Sequence, residues 1–123
     1  MSLKDFLTLL FESDDAVDKA HELDIIDKYY YEHPDETVLR KDAARILHLY
    51  MLKVLHMKDE EDISSASVLK DLYDCRVCVN HIAQVYLKGI MKAREYPGKL
   101  LIFDSNSELT ASEAEEAILY MKG

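Results

Sequence analysis

Residues 103–118 read FDSNSELTASEAEEAI, and this stretch decides how the rest of the chain is interpreted. Its acidic and amide side chains from Asp104 onward alternate as in a calcium loop, but the sixth loop position holds Leu109, where an EF-hand loop needs glycine. Thr110 and Glu113 instead have the spacing of a capping box, in which each side chain accepts the other residue's backbone N–H. We therefore predict a polar turn and then a capped helix that ends near Met121, and no calcium site.

The same pattern occurs earlier in the chain. When residues 38–43 are aligned with residues 109–114, several apolar pairs coincide: Val38 with Leu109, Leu47 with Ile118, and Tyr50 with Met121. Upstream, residues 23–26 resemble residues 88–91, with a longer connection in the second copy. The chain is therefore predicted to contain two copies of a unit made of a helix, an aliphatic pair, a loop and a capped helix.

Helical spacing of apolar residues extends this prediction to the flanking segments. Ser2 is a candidate N-cap, and one broad apolar face follows it: Leu3, Phe6, Leu7, Leu10 and Phe11. A short helix is expected after Ser13, and a loop before Pro34. Residues 58–65, KDEEDISS, form a charged linker and the best candidate boundary. The apolar stripe over residues 68–86 predicts one long helix, followed by a turn at residues 93–99.

Composition limits the class of protein. Apolar residues make up 49% of the 123-residue chain, which contains only three glycines and two prolines, so helices are favoured over a sandwich or barrel rich in tight turns. The formal net charge is -9 and no run of Lys or Arg exceeds a pair, so nucleic-acid binding is not expected. We expect no membrane insertion and, because residues 1–13 do not resemble a signal peptide, a cytoplasmic location.

No residue pattern points to catalysis, a cofactor or a metal. Cys75 and Cys78 form a C-R-V-C unit without a second cysteine pair, and both fall inside the predicted long helix, so we expect two reduced core cysteines. No two histidines have the i, i+4 spacing of a helical metal site, and no glycine-rich phosphate loop is present. The sequence therefore predicts a protein that is not an enzyme.

Two blocks of the sequence resemble the S-layer homology repeat, which is similar to AIxxLYEKGIIxG followed by FxPxxxITRAE. Residues 81–91, HIAQVYLKGIM, look like the first block. The second block is matched by these residues of the second copy: Phe103, Leu109, Thr110 and Glu113. The first copy matches it at these positions: Pro34, Val38, Arg40 and Asp42. Unlike the family, the chain has two repeats rather than three, has no tryptophan, and carries Ala111 where the second arginine would stand.

The resemblance implies an all-α fold with two helix-loop-helix repeats and an N-terminal helix, in a single domain of residues 1–123. The N-terminal helix would span residues 1–12, and the repeats residues 13–57 and 62–123. In the family, the motif's arginine helps to bind an anionic, pyruvylated cell-wall polysaccharide, and Arg40 alone keeps that position. Three consecutive tyrosines are candidates to line a sugar-binding groove, although packing of the loop is the simpler interpretation: Tyr29, Tyr30 and Tyr31.

Two functions remain open at this point. The first is a non-catalytic module for protein–protein interaction or assembly. The alternative is a polysaccharide-binding module at the cell surface, if the chain belongs to an exported protein. Because the family packs three repeats together, two repeats would leave an apolar flank open. The apolar face of the N-terminal helix, from Leu3 to Phe11, is expected to close that flank within the chain or to dock on a second subunit in a homodimer.

Overall fold

The computed structural model describes residues 1–123 and contains six α-helices and one β-hairpin. The helices are α1 (Leu3–Phe11), α2 (Ala16–Glu22), α3 (Lys28–Glu32), α4 (Arg40–Lys53), α5 (Val79–Leu87) and α6 (Ala111–Lys122). Short 3-10 turns cover Ser64–Val68, Leu72–Asp74 and Arg76–Cys78. None of the helices is both long enough and apolar enough to cross a membrane.

The prediction of an all-α fold is wrong, because the second half of the chain contains a two-stranded antiparallel sheet and 54% of the residues are helical. Strands β1 (Arg94–Tyr96) and β2 (Leu100–Ile102) pair with Tyr96 opposite Leu100. The turn between them uses positive φ angles at Gly98 and Lys99. Strands of three residues are too short for alternation to show in the sequence, so only the turn at residues 93–99 was predicted.

The predicted long helix over residues 68–86 is also wrong, since residues 64–78 form the three 3-10 turns and only Val79–Leu87 are α-helical. The carboxylate of Asp71 accepts hydrogen bonds from the backbone N–H groups of Phe103 and Asp104, at 2.7 and 2.8 Å. Leu69 also forms a parallel bridge with Leu101. These bonds to the hairpin region compete with the formation of a continuous helix. The helical spacing of the apolar residues could not reveal this competition.

The predicted helix starts are confirmed at Ser2 and Thr110. Ser2 Oγ accepts the N–H of Asp5 at 3.1 Å. Thr110 Oγ1 accepts the N–H of Glu113, and Glu113 Oε1 accepts the N–H of Thr110, both at 3.1 Å, which completes the capping box. Leu39 occupies the same position before α4, and its backbone has the same extended conformation.

Backbone hydrogen bonds show that α1 is a third copy of this helix start. Three N–H groups join the start of α1 to the segment before α4: Leu3 donates to Glu36, Lys4 to Pro34, and Val38 to Met1. The same three bonds recur between the start of α4 and the segment before α6: Arg40 donates to Ser107, Lys41 to Ser105, and Leu109 to Val38. Residues 1–6 therefore align with residues 38–43 and 109–114, a relation that was not predicted from the sequence.

Helix α1 closes the core within its own chain. Four residues of its apolar face are fully buried: Leu3, Phe6, Leu7 and Leu10. Phe11 is half-buried and packs edge-to-face on Tyr50, with 5.2 Å between the ring centroids. Of the two predicted roles of this face, the structure therefore shows the first, in which the face closes the flank within its own chain. These side chains are not available to a second subunit.

The charged linker is docked on the helices rather than free. The side chain of Gln84, which is buried on α5, donates to the backbone carbonyl of Glu60 at 3.0 Å and accepts its N–H at 2.8 Å. Lys88 donates to the carbonyl of Lys58 at 2.8 Å. The segment expected to be a boundary is thus held against α5 by hydrogen bonds between its own backbone and the side chains of Gln84 and Lys88.

We predict that Thr110→Ala lowers the free energy of unfolding by about 0.5–2 kcal/mol, because it leaves the N–H of Glu113 without its side-chain acceptor. Ser112→Ala is the matched control, since Ser112 is exposed on the same turn and makes no side-chain hydrogen bond. Urea unfolding followed by circular dichroism measures both values. Equal effects of the two substitutions would show that the cap contributes nothing.

Candidate functional site

A groove of about 990 Å³ lies between α6 and the segment Gly89–Arg94 that follows α5. Gly89 permits the close approach of the two walls: its φ is +75°, and a Cβ there would lie 3.3 Å from the hydroxyl of Tyr120. Tyr120 and its neighbour Leu119 are 65% and 77% exposed, although both are large and apolar. The groove is therefore an apolar concavity with two exposed side chains on one wall.

The closed end of the groove is built around Arg40, whose side chain is only 3% exposed. Its Nε donates to the carbonyl of Phe103 at 2.8 Å, and one Nη donates to the carbonyl of Lys92 at 2.7 Å. The other Nη donates to the Glu113 carboxylate. The guanidinium also lies over the Phe103 ring, 4.8 Å from its centroid. Each nitrogen of the side chain thus has a partner inside the protein.

Arg94 and Asp104 extend this ion-pair network toward the surface. Arg94 donates to Glu113 at 3.0 Å with one nitrogen and to Asp104 with the other. Partial burial acts to raise the pKa of Glu113, but the hydrogen bonds from Thr110 and the charges of the two arginines together hold that pKa below its ordinary value. Two cations and two carboxylates balance here, so the closed end carries no net charge.

The predicted ligand-binding residues do not come together. Arg40 contributes to the groove, but its lining includes none of the three tyrosines. Tyr29 donates to Glu36 and stacks on His33, and Tyr31 donates to Asp18 and stacks on His21. Tyr30 is half-buried, and burial raises its pKa. The exposed rings of Tyr29 and Tyr31 belong to a separate surface around α3.

The sequence did not single out several residues that form the groove: Arg94, Glu113 as an ion-pair partner, Met91, Leu119 and Tyr120. A signal was present for the last two. The buried residues of α6 follow a helical stripe: Ala114, Ala117, Ile118 and Met121. Leu119 and Tyr120 lie outside this stripe, so the helical spacing already implied that these two large apolar side chains face away from the core.

A second polar cluster joins α4, the linker and α5. His48 is buried; its Nε2 lies 2.6 Å from Asp59 Oδ1, and its Nδ1 lies 2.8 Å from His81 Nδ1. Asn80 donates to the second oxygen of Asp59 at 3.1 Å. Burial, followed by the nearby charges of His48 and Arg45, lowers the pKa of His81 to about 4. No group of three His, Cys, Asp or Glu side chains is arranged to hold a metal ion.

We predict that Arg40→Met lowers the free energy of unfolding by about 3 kcal/mol, because it leaves the carbonyl groups of Phe103 and Lys92 without their donor and removes one of the two arginines that pair with Glu113. Arg45→Met is the matched control on the same helix. Arg45 is 41% exposed and lies 3.9 Å from Asp27, so its loss is expected to cost less than about 1 kcal/mol. Similar losses in the two variants, measured by urea unfolding, would contradict a central role for Arg40.

The His81 environment predicts a pH dependence of stability. The unfolded chain protonates His81 near its ordinary pKa of about 6.5, whereas the folded site resists protonation until about pH 4. Between these values the unfolded state binds more protons, so the free energy of unfolding decreases as the pH falls, by an amount on the order of 1 kcal/mol. The contributions of Asp59 and Glu113, whose pKa values are lowered, are lost only at lower pH.

Urea unfolding at several pH values between 6.5 and 4 measures this dependence. In His81→Gln the decrease should be smaller, whereas the exposed His33→Gln should behave like the wild type. An unchanged slope in His81→Gln would assign the dependence to other groups.

Comparison with known protein families, with characterised proteins and with solved structures found no match.

Proposed function

We propose that this protein is a non-catalytic binding module whose groove between α6 and Gly89–Arg94 takes a segment of a partner protein. The observation that carries the proposal is the pair of adjacent side chains Leu119 and Tyr120, 77% and 65% exposed on the wall of a preformed groove. Apolar side chains exposed side by side around a concavity are typical of sites that bind another molecule. The buried Met91 and Ile90 add apolar surface beneath them.

The charges around the groove favour a partner segment with an apolar side chain and a neighbouring basic residue. Glu116 lies on the rim of the groove, and it forms no ion pair. The groove also reaches the C-terminal end of α6, where the helix dipole is negative and favours a cation. With a net charge of -9, the whole molecule would attract such a segment at long range.

The ionised groups at the closed end support a binding role over a catalytic one. Arg40, Arg94 and Glu113 are all engaged in mutual ion pairs and backbone hydrogen bonds. A general acid or base must offer a proton or a lone pair to the substrate, whereas here these are used within the protein. The network is better suited to hold the walls of the groove at a fixed distance.

Binding of an anionic cell-wall polysaccharide, as the resemblance to S-layer homology repeats implies, is the second candidate. It is favoured by one observation, the presence of three cations along one groove: Arg40, Lys92 and Arg94. Lys92 is exposed and has no ion-pair partner, so it is the cation that an anionic sugar would meet first. The two arginines would have to exchange their carboxylate partners for the ligand, which weighs against this candidate.

The test is a selection of displayed random peptides on the full-length protein, followed by fluorescence anisotropy of the selected peptides. We expect peptides that combine a large apolar residue with a basic one, and a loss of affinity of at least tenfold in Leu119→Ala and in Tyr120→Ala. Tyr96→Ala is the matched control, because Tyr96 is 55% exposed and does not line the groove. Selected peptides that bind Tyr120→Ala as tightly as wild type would place the binding site elsewhere.

A parallel assay with pyruvylated cell-wall polysaccharide separates the two candidates. We expect no saturable binding of the wild type to this polymer. Saturable binding that is lost in Lys92→Glu would favour the polysaccharide role over the peptide role.

A further inference from the structure

The two cysteines of the chain form a disulfide on the surface, away from the groove. The sulfur atoms of Cys75 and Cys78 are bonded, at 2.09 Å, and both residues are half-buried rather than part of the core. The expectation of two reduced core cysteines inside a long helix is therefore wrong. Two apolar neighbours are exposed beside them: Val77, at 85%, and Tyr73, at 67%.

The position of this disulfide in the chain lets it contribute little to the stability of the fold. A disulfide stabilises a fold mainly by restricting the unfolded chain, and the effect grows with the length of the loop that it closes. Here the bonded cysteines are separated by three positions, so the loop is close to the shortest that a protein disulfide can close. Both cysteines also belong to one surface segment, between the turn Leu72–Asp74 and α5, and the bond ties no distant elements together.

The segment has features that suit reversible chemistry. Cys78 is the residue before α5, a helix of nine residues, and no side chain caps this end of the helix. The positive end of the α5 dipole therefore favours a thiolate on Cys78. Arg76, within the same C-R-V-C unit, is exposed and forms no ion pair, which adds a positive charge nearby.

We propose that Cys75–Cys78 is a thiol–disulfide exchange site that is reduced by a dithiol and reoxidised by a disulfide. A thiolate of the dithiol attacks Sγ of Cys75, the S–S bond breaks, and its electron pair leaves with Sγ of Cys78. The second thiol of the reductant then loses its proton and attacks the reductant's first sulfur in the mixed disulfide. This breaks the bond to Cys75 Sγ and releases Cys75. Two electrons and two protons pass to the protein, and the dithiol becomes a cyclic disulfide.

The helix end makes Cys78 the better leaving group, since a sulfur that is stable as a thiolate departs faster. The exposed Val77 and Tyr73 would give a protein reductant an apolar surface on which to dock. This site is independent of the groove, and its failure would leave the proposed binding function unaffected.

The first experiment compares reduction of the oxidised full-length protein by dithiothreitol with reduction of the synthetic disulfide peptide of residues 73–79. Free thiols are counted by mass spectrometry after alkylation, and circular dichroism verifies that the fold persists. We expect the folded protein to be reduced at least tenfold faster than the peptide, and glutathione disulfide to restore the bond. Equal or slower reduction, reduction only after unfolding, or no disulfide in excess glutathione disulfide would overturn the proposal.

The second experiment uses the single variants Cys75→Ser and Cys78→Ser as a matched pair. Each leaves one thiol, and its rate of alkylation by iodoacetamide at pH 7 reports the fraction present as thiolate. We expect Cys78 in the first variant to react at least tenfold faster than Cys75 in the second. Equal rates, or a faster Cys75, would overturn the assignment of Cys78 as the leaving group.

Discussion

Much of this structure depends on the burial of one charged side chain, Arg40. A guanidinium removed from water is costly unless every N–H finds a partner, and here the partners come from three distant parts of the chain: α6, the segment after α5 and the end of the hairpin. The ion pair with Glu113 spans 73 positions of sequence. Because the bonds of a guanidinium are directional, they fix the spacing of these segments as well as joining them. The groove is the space that this spacing leaves.

The same residue shows how a sequence motif and its physical role can differ. The sequence around Arg40 resembles a motif whose arginine contributes to ligand binding, yet the guanidinium of Arg40 is directed into the protein. In the proposed binding mode, a partner would contact the groove walls that Arg40 positions rather than the guanidinium itself. What an approaching molecule would touch first is Lys92 on one side and the exposed pair Leu119 and Tyr120 on the other.

The parts of the fold that could be predicted are those fixed by local rules. The cap at Thr110 needs only a hydroxyl and a carboxylate three residues apart, and α1 needs only an apolar face after Ser2. The segment of residues 64–78 was mispredicted because its apolar spacing suits a helix while its hydrogen bonds go to the hairpin. The hairpin itself, the helix at Tyr29–Tyr31 and the ion pairs of Arg94 depend on short elements or on contacts between distant residues. Local patterns carry little information about these features, so the candidate site was predicted only at Arg40.

The repeated pairing of helix starts has a consequence for how the molecule unfolds. Val38 belongs to both pairings: its N–H bonds to Met1, and its carbonyl accepts the N–H of Leu109, while its side chain is fully buried. The first pairing closes a short span of chain and the second a span about twice as long, so the N-terminal half has the lower entropic cost of closure. The N-terminal half can then form first, and the carbonyl of Val38 is then in place to accept the N–H of Leu109 from the C-terminal half. Opening at this residue would break one hydrogen bond of each pairing and expose its buried side chain, so we expect the two halves to lose their structure in a single cooperative transition rather than one after the other.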